Sequence, residues 1–356
     1  MAEWLRINQT TIEEHLEGEE INILQNQKLL ALFQLHKRVS YNHSGKSLTW
    51  RIRAKRNSMS SYGDAQQINF DRVNRWRTAE LNYGGYVVSE SVTEKEKAMN
   101  KGKEAIINLR AQLTEAMIDD FKYHFCREFL VTDGNAAGNT DSIQGFPSFL
   151  GVTGTNQFTS PSDTYGGLST SLGNFGGAVI SGSWPKGKFD PEYYFHSPLI
   201  VNYTHADWGA STDNWANNSV EALRAGIIHQ RNTKGRQGMI DLILVTASMY
   251  EDYLSTLDDK ERIQVFRDGE SSGLVKMGFR DVVNFDGVDI SYDIDMPDTE
   301  GYGINVKEME LCSLNKQLFM PHKGYEVATL SDNYALVFFG QLRCNPRAFV
   351  FFNDIT

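Results

Sequence analysis

The stretch 47-SLTWRIRAK-55 constrains this chain more than any other. Leu48, Trp50, Ile52 and Ala54 alternate with Thr49, Arg51, Arg53 and Lys55, the period of a strand with one apolar and one basic face. The polar tip 57-NSMSSYGDAQQ-67 carries turn residues, and 72-RVNRWRTAELNYGGYVVSE-90 reads as the returning run, so residues 46–90 form a long hairpin. Such a hairpin cannot bury both faces by itself. Trp50, Ile52 and Trp76 need cover. Arg51, Arg53, Lys55, Arg56, Arg72, Arg75 and Arg77 make the hairpin basic within a chain of formal net charge −10. Nucleic acid, a solvated face, and an acidic surface of another copy of the chain are the three readings. Apolar and charged faces exposed together point to an interface.

The hairpin is flanked by helices. Before it, an acidic opening reads as a flexible arm, and 21-INILQNQKLLALFQLHKRV-39 places Ile23, Leu30, Phe33 and Val39 at loosely helical spacing. After it, Thr93 and Glu96 fit a capping box. Ile106, Leu109, Leu113, Met117, Phe121, Phe125 and Phe129 then recur every three or four residues, with Gly102 a point of kinking or splitting near the start. This stripe needs a long partner surface. Residues 133–188 are rich in Gly, Ser and Thr and read as loops and irregular strands. A helix over 211–232 with Ser or Thr near its cap, a buried central strand over 240–246, a helix over 248–259 and strands through 262–352 complete a mixed α+β chain.

With 356 residues and 40% apolar side chains, the chain can bury a sizeable core. The acidic balance lacks the overall basic footprint of a nucleic-acid binder. Cys126, Cys312 and Cys344 are far apart with no CxxC, which suits free thiols in a reducing compartment. The first twenty residues have acids where a secretory signal needs a basic region and an apolar run, and no 18-residue apolar stretch suggests a membrane span.

The strongest chemical candidate is 289-DISYDIDMPD-298, which holds four aspartates in ten residues. Asp289, Ser291, Asp293 and Asp295 alternate with Val288, Ile290, Tyr292, Ile294 and Met296, the pattern of a half-buried strand with a wet face. The glycine and distal Glu offsets of a calcium loop are missing. A carboxylate- or metal-dependent enzyme using Asp289, Asp293 and Asp295 is the competing reading. The piece 44-SGKS-47 has Ser40 where a phosphate-binding loop needs its first glycine, and 173-GNFGGAVISG-182 lacks GxGxxG. The eight histidines form no HExxH, and no GxSxG is present. No catalytic, cofactor or metal residue is assigned.

The order of elements resembles the major capsid proteins of tailed bacteriophages, the Hong Kong 97-like fold. The carriers are the basic hairpin 46–90, the helix 94–130, 143-IQGFPSFLG-151, 240-IDLILVTASMYEDYL-254, 285-FDGVDISYDIDMP-297 and 345-NPRAFVFF-352. The resemblance implies an N-terminal arm over 1–45, an extended loop over 46–92, and a peripheral domain with its spine helix over 93–246. It also implies an axial domain over about 247–335 and a return to the peripheral domain over 336–356. It implies a non-enzymatic subunit that assembles with itself, as hexamers and pentamers, into an icosahedral head in the host cytoplasm. There it encloses double-stranded DNA without sequence-specific binding or a membrane, aided by a separate scaffolding protein and a portal. A nanocompartment of the same fold, enclosing a cargo enzyme, is the alternative. The inter-subunit contact candidates are Trp50, Arg51, Ile52, Arg53, Lys55, Arg56, Arg72, Arg75, Trp76 and Arg77.

Overall fold

Two short apolar runs, Leu242–Val245 and Val350–Asn353, sit inside a sheet that is covered on both faces, which is why they need no polar alternation. The computed structural model describes residues 28–53, 59–64, 66–68, 70, 75–99, 109–175, 178–179, 191–209, 212–258 and 282–355. In chain order the helices are α1 (Lys28–Leu35), α2 (Glu94–Met99), α3 (Leu109–Val131), α4 (Trp215–Lys234) and α5 (Ala247–Asp258). The strands are β1 (Val39–Ser40), β2 (Ser47–Arg53), β3 (Trp76–Asn82) and β4 (Gly84–Thr93). Six short ones cross the glycine-rich tract: β5 (Val152–Thr153), β6 (Phe158–Pro161), β7 (Thr164–Tyr165), β8 (Leu168–Ser169), β9 (Asn174–Phe175) and β10 (Ala178–Val179). Then come β11 (Leu199–Asn202), β12 (Leu242–Val245), β13 (Val283–Phe285), β14 (Val288–Tyr292) and β15 (Gly301–Ile304). The last are β16 (Met309–Ser313), β17 (Met320–Glu326), β18 (Ser331–Cys344) and β19 (Val350–Asn353).

The larger sheet runs β13-β14-β12-β15-β19-β11-β6-β5. Parity divides it cleanly. Ile243, Val245, Ile290, Val350 and Phe352 face a core shared with Leu223 and Ile227 of α4 and Tyr250 and Tyr253 of α5. Leu242, Leu244, Tyr302 and Phe351 face the other way, into a second core. The smaller sheet runs β1-β16-β18-β17, with β4 also paired to β18, and contributes Leu311, Phe338 and Leu342 to that second core.

The helix α3 lies along this second core. Met117, Phe121, Phe125 and Phe129 are buried, as the stripe predicts. Phe125 meets Phe338 at 4.5 Å and Phe121 meets Phe319 at 4.6 Å between ring centroids. Each buried Phe contributes roughly 1.5–3 kcal/mol through the apolar area it removes from water. The expected capping box forms: Thr93 N–H donates to Glu96 Oε2 at 2.9 Å and Glu96 N–H to Thr93 Oγ1 at 3.3 Å. It starts α2; Gly102 and Ile106 lie outside the described residues.

Four local readings are corrected. The helix over 21–39 ends at Leu35, because Lys37 takes φ 54° and Arg38 N–H returns to Phe33 O; Val39 is instead a strand residue paired with Leu311. Ile23 and the arm lie outside the described residues. The cap of α4 is Asn214, whose side chain accepts from Asn217 N–H at 3.0 Å, rather than Ser or Thr. The returning run 72–90 is two strands: β3 pairs with β2, then the chain crosses at Tyr83 and β4 pairs with β18. The aspartate stretch is not a wet face. Asp289 and Ser291 of β14 lie beside Leu242 and Leu244, whose face packs into the second core, so Ser291 is 1% exposed; the chain turns after Tyr292, which leaves Asp293 at 2% exposure and Ile294 in solvent.

Candidate functional site

Strands β2 and β3 pair from Ser47↔Asn82 to Arg53↔Trp76. Residues opposite one another share a face. Leu48, Trp50 and Ile52 therefore lie with Leu81, Ala79 and Arg77, while Thr49, Arg51 and Arg53 lie with Glu80, Thr78 and Trp76. The β2 alternation is as the sequence predicts. The β3 register mixes the faces toward the tip: Trp76 joins the basic face and Arg77 the apolar one.

The chain itself seats the base of the hairpin. Ala79 is fully buried, and Leu48 and Leu81 are buried. Cover comes from the β7–β8 turn. Glu80 N–H donates to Gly166 O at 3.0 Å, and the Trp50 ring lies 6.2 Å from that of Tyr165. Gly166 has φ +60°, and a Cβ there would stand 2.9 Å from the Ala79 Cβ, so the turn admits only glycine at this distance. The turn is in turn pegged to β18. The buried Tyr165 hydroxyl donates to Leu342 O at 2.8 Å and accepts from Cys344 N–H at 2.8 Å. Burial raises this phenol well above its usual pKa, so it stays protonated and able to donate.

Away from the base, cover runs out. Trp76 is 54% exposed; beyond it Ile68 is 55%, Tyr62 66%, Phe70 92% and Met59 99% exposed. The tip over 57–67, expected to be polar, thus presents Met59 and Tyr62 to water, and Ile68 and Phe70 just beyond it are exposed as well. Arg51, Arg53 and Arg77 are exposed and Arg75 is half-buried; among the described residues none of them has a carboxylate within 4.0 Å. Lys55, Arg56 and Arg72 lie outside the described residues.

Between the hairpin and the β16–β18 pair lies a cleft of about 300 Å³. Arg38, Arg51, Arg53, Lys307, Arg343 and Arg347 line it, against two acids, Glu308 and Glu310. Glu310 pairs with Arg343 at 3.0 Å, and Arg343 also lies 5.7 Å over the Trp50 ring. Glu308 accepts from Asn345 Nδ2 at 3.0 Å.

The aspartates are spread among structural bonds. Asp289 accepts from Asn284 Nδ2 at 2.8 Å, Asp293 from Asp295 N–H at 3.0 Å, and Asp295 from Tyr123 Oη at 3.2 Å. Among the described residues no three His, Cys, Asp or Glu side chains are grouped to hold a metal ion. Cys126, Cys312 and Cys344 are free and buried, with the Cys126 thiol pushed up to about 12 by burial, so none is a ready nucleophile. No described helix is long and apolar enough to cross a membrane.

The Tyr165-Gly166 seat and the cleft escaped the sequence reading. An aromatic followed by two glycines marks the turn, but the partners of that turn are over eighty residues away in sequence. Arg38, Lys307 and Arg343 come from three separate elements with no shared motif.

No family model matches the sequence, and no curated protein matches it. Solved structures do. The cyanophage A-1(L) capsid subunit matches with a TM-score of 0.63 at 15% identity, covering 97% of each chain. The capsid of a native GTA particle matches with a TM-score of 0.61 at 9% identity, over 97% of this chain and 96% of that one. The chain has the Hong Kong 97-like fold. The same fold extends to the SrpI encapsulin complex of Synechococcus elongatus PCC 7942, with a TM-score of 0.52 at 9% identity, over 99% of this chain and 95% of that one.

Proposed function

We propose that this chain is a structural, non-enzymatic subunit that assembles with its own copies into the icosahedral head of a tailed bacteriophage, enclosing double-stranded DNA. The observation that carries the reading is the hairpin tip, where Met59 and Phe70 stand almost wholly in water on a stem whose base is packed. A surface of this kind is costly unless a neighbour covers it. The fold it stands on is found in phage capsids. Residues 46–92 serve as the extended loop, 1–45 as an arm, 93–246 and 336–356 as the peripheral domain, and about 247–335 as the axial domain. Hexamers and pentamers follow from heterologous contacts that close into rings. Each exposed ion pair of Arg51, Arg53, Lys55, Arg56, Arg72, Arg75 or Arg77 adds only about 0–1 kcal/mol, but a closed shell repeats it in every copy. The net charge of −10 keeps the wall from trapping the DNA it encloses. A separate scaffolding protein and a portal act with the subunit, and assembly takes place in the host cytoplasm.

The test is negative-stain microscopy with size-exclusion chromatography, with co-assembly factors supplied. Wild type forms shells; Arg51→Glu/Arg53→Glu/Arg75→Glu yields folded monomer and none. Normal shells from the triple variant would refute the role of the hairpin. The likeness to an encapsulin supports a second reading, a compartment for protein cargo. Nucleic acid inside purified shells favours the phage head, and a single enriched protein favours the compartment.

A further inference from the structure

We propose that the basic cleft under the hairpin receives the acidic segment 13-EEHLEGEE-20 of a neighbouring copy; this deepens the shell reading and rests on it. The cleft is out of character with its chain. Six cations against two acids leave a lining of +4 in a protein of −10. Among the described residues Arg38, Arg51, Arg53 and Lys307 have no carboxylate within 4.0 Å. Cations gathered in a concave site repel one another and focus a positive potential outward. An anionic occupant removes that repulsion.

The occupant must be acidic and present once per cleft. Residues 13–20 hold five glutamates and no Lys or Arg, a charge of −5 to set against +4. The segment also carries Leu16, with Ile12 just before it, and the cleft offers Trp50, Ile52 and Met309 among its lining. Acids with interleaved apolar residues suit a cleft that is cationic and partly greasy. Seven residues lie between Glu20 and Lys28, a reach of up to roughly 25 Å in extended chain. In a closed ring each arm meets one cleft, so no cleft is left without an occupant.

Two experiments on the full chain decide it. The first needs no shell. A fluorescein-labelled peptide of residues 11–20 is titrated onto unassembled protein and followed by anisotropy. Binding weakens about tenfold when salt rises from about 50 to about 500 mM, and about tenfold in Arg38→Glu/Lys307→Glu. Among the described residues neither side chain has a hydrogen-bond partner: Arg38 bonds through its backbone, its N–H donating to Phe33 O and its carbonyl accepting from Leu311 N–H, and Lys307 through its backbone N–H, which donates to Asn305 Oδ1. An unchanged melting point therefore confirms that the fold survives. Equal binding by wild type and variant overturns the proposal, as does tighter binding of an oligonucleotide of matched charge. The second experiment mixes Lys307→Cys protein with Glu17→Cys protein under assembly conditions and mild oxidation. A disulfide-linked heterodimer is expected. Its absence from well-formed shells, or a link found only within one chain when both cysteines are on it, overturns the pairing between copies. Failure of wild type to form shells would count against the shell reading, while the peptide titration still decides the cleft.

Discussion

Removing one oxygen atom from Tyr165 tests how the hairpin is held. Tyr165→Phe keeps the ring and its edge contact with Phe149, 5.1 Å between centroids, and loses only the hydroxyl. That hydroxyl accepts the Cys344 N–H and donates to Leu342 O, both at 2.8 Å, in a site without exposure. The variant leaves the Cys344 donor without this acceptor in a dry interior, which costs about 1–3 kcal/mol, and the loss of the second bond adds about 1 kcal/mol. A total of about 3 kcal/mol, divided by an unfolding entropy of roughly 0.75 kcal/mol/K for a chain of this length, lowers the melting point by about 4 °C. Calorimetry reads the shift. Hydrogen exchange reads its location: amides of 48–53 and 76–82 exchange faster, since Trp50 and Glu80 rest on the Tyr165–Gly166 turn. A melting point within 1 °C of wild type would show that the hydroxyl is not the peg. A full loss of stability with unchanged hairpin exchange would show that it pegs something else.

Gly166→Ala keeps the peg and disturbs the contact above it: with φ +60° and 2.9 Å to the Ala79 Cβ, the added methyl costs about 2 kcal/mol and speeds exchange at 79–81, and unchanged exchange would refute the close approach. His196 tests the same region by pH. It is 1% exposed, its Nε2–H donates to Tyr165 O at 3.2 Å, and burial lowers its pKa from 6.5 to about 4. Between those values the unfolded chain takes up a proton that the folded chain refuses, so stability is complete above pH 6.5 and falls by about 3 kcal/mol as pH drops toward 4. A thermal pH profile of His196→Gln should lack that part of the slope, and an identical profile would refute the assignment.

The long helix and the double-faced sheet were legible in sequence because their signals are local and repetitive. Phe121, Phe125 and Phe129 announce a buried stripe by spacing alone, and Thr93 and Glu96 announce a cap by chemistry alone. The aspartate stretch misled for an equally physical reason. Alternation reports two different faces, but it does not say that the polar one is wet. Ser291 is covered because the face it shares with Leu244 packs into the second core, and Asp293, just past the strand, accepts the Asp295 N–H within a turn. The register of β3 was equally out of reach, since one residue of slip moves Trp76 and Arg77 to opposite faces.

The burial gradient along the hairpin carries a consequence for association. Ala79 at the base is fully buried, Trp76 is about half exposed, and Met59 in the tip is almost wholly exposed. A hairpin free along its whole length would lose the freedom of every residue on docking, and that entropy would consume the small gain from each exposed contact. Fixing the stem inside the subunit through Gly166, Tyr165 and β18 settles that loss during folding. Under the proposed shell reading, only the tip and its long side chains would then be ordered by a partner, and weak individual contacts at Trp76, Phe70 and the arginines would suffice because the stem is fixed beforehand. Loosening the stem should for this reason weaken association even where no contacting residue is changed, which makes Tyr165→Phe a probe of assembly as well as of stability.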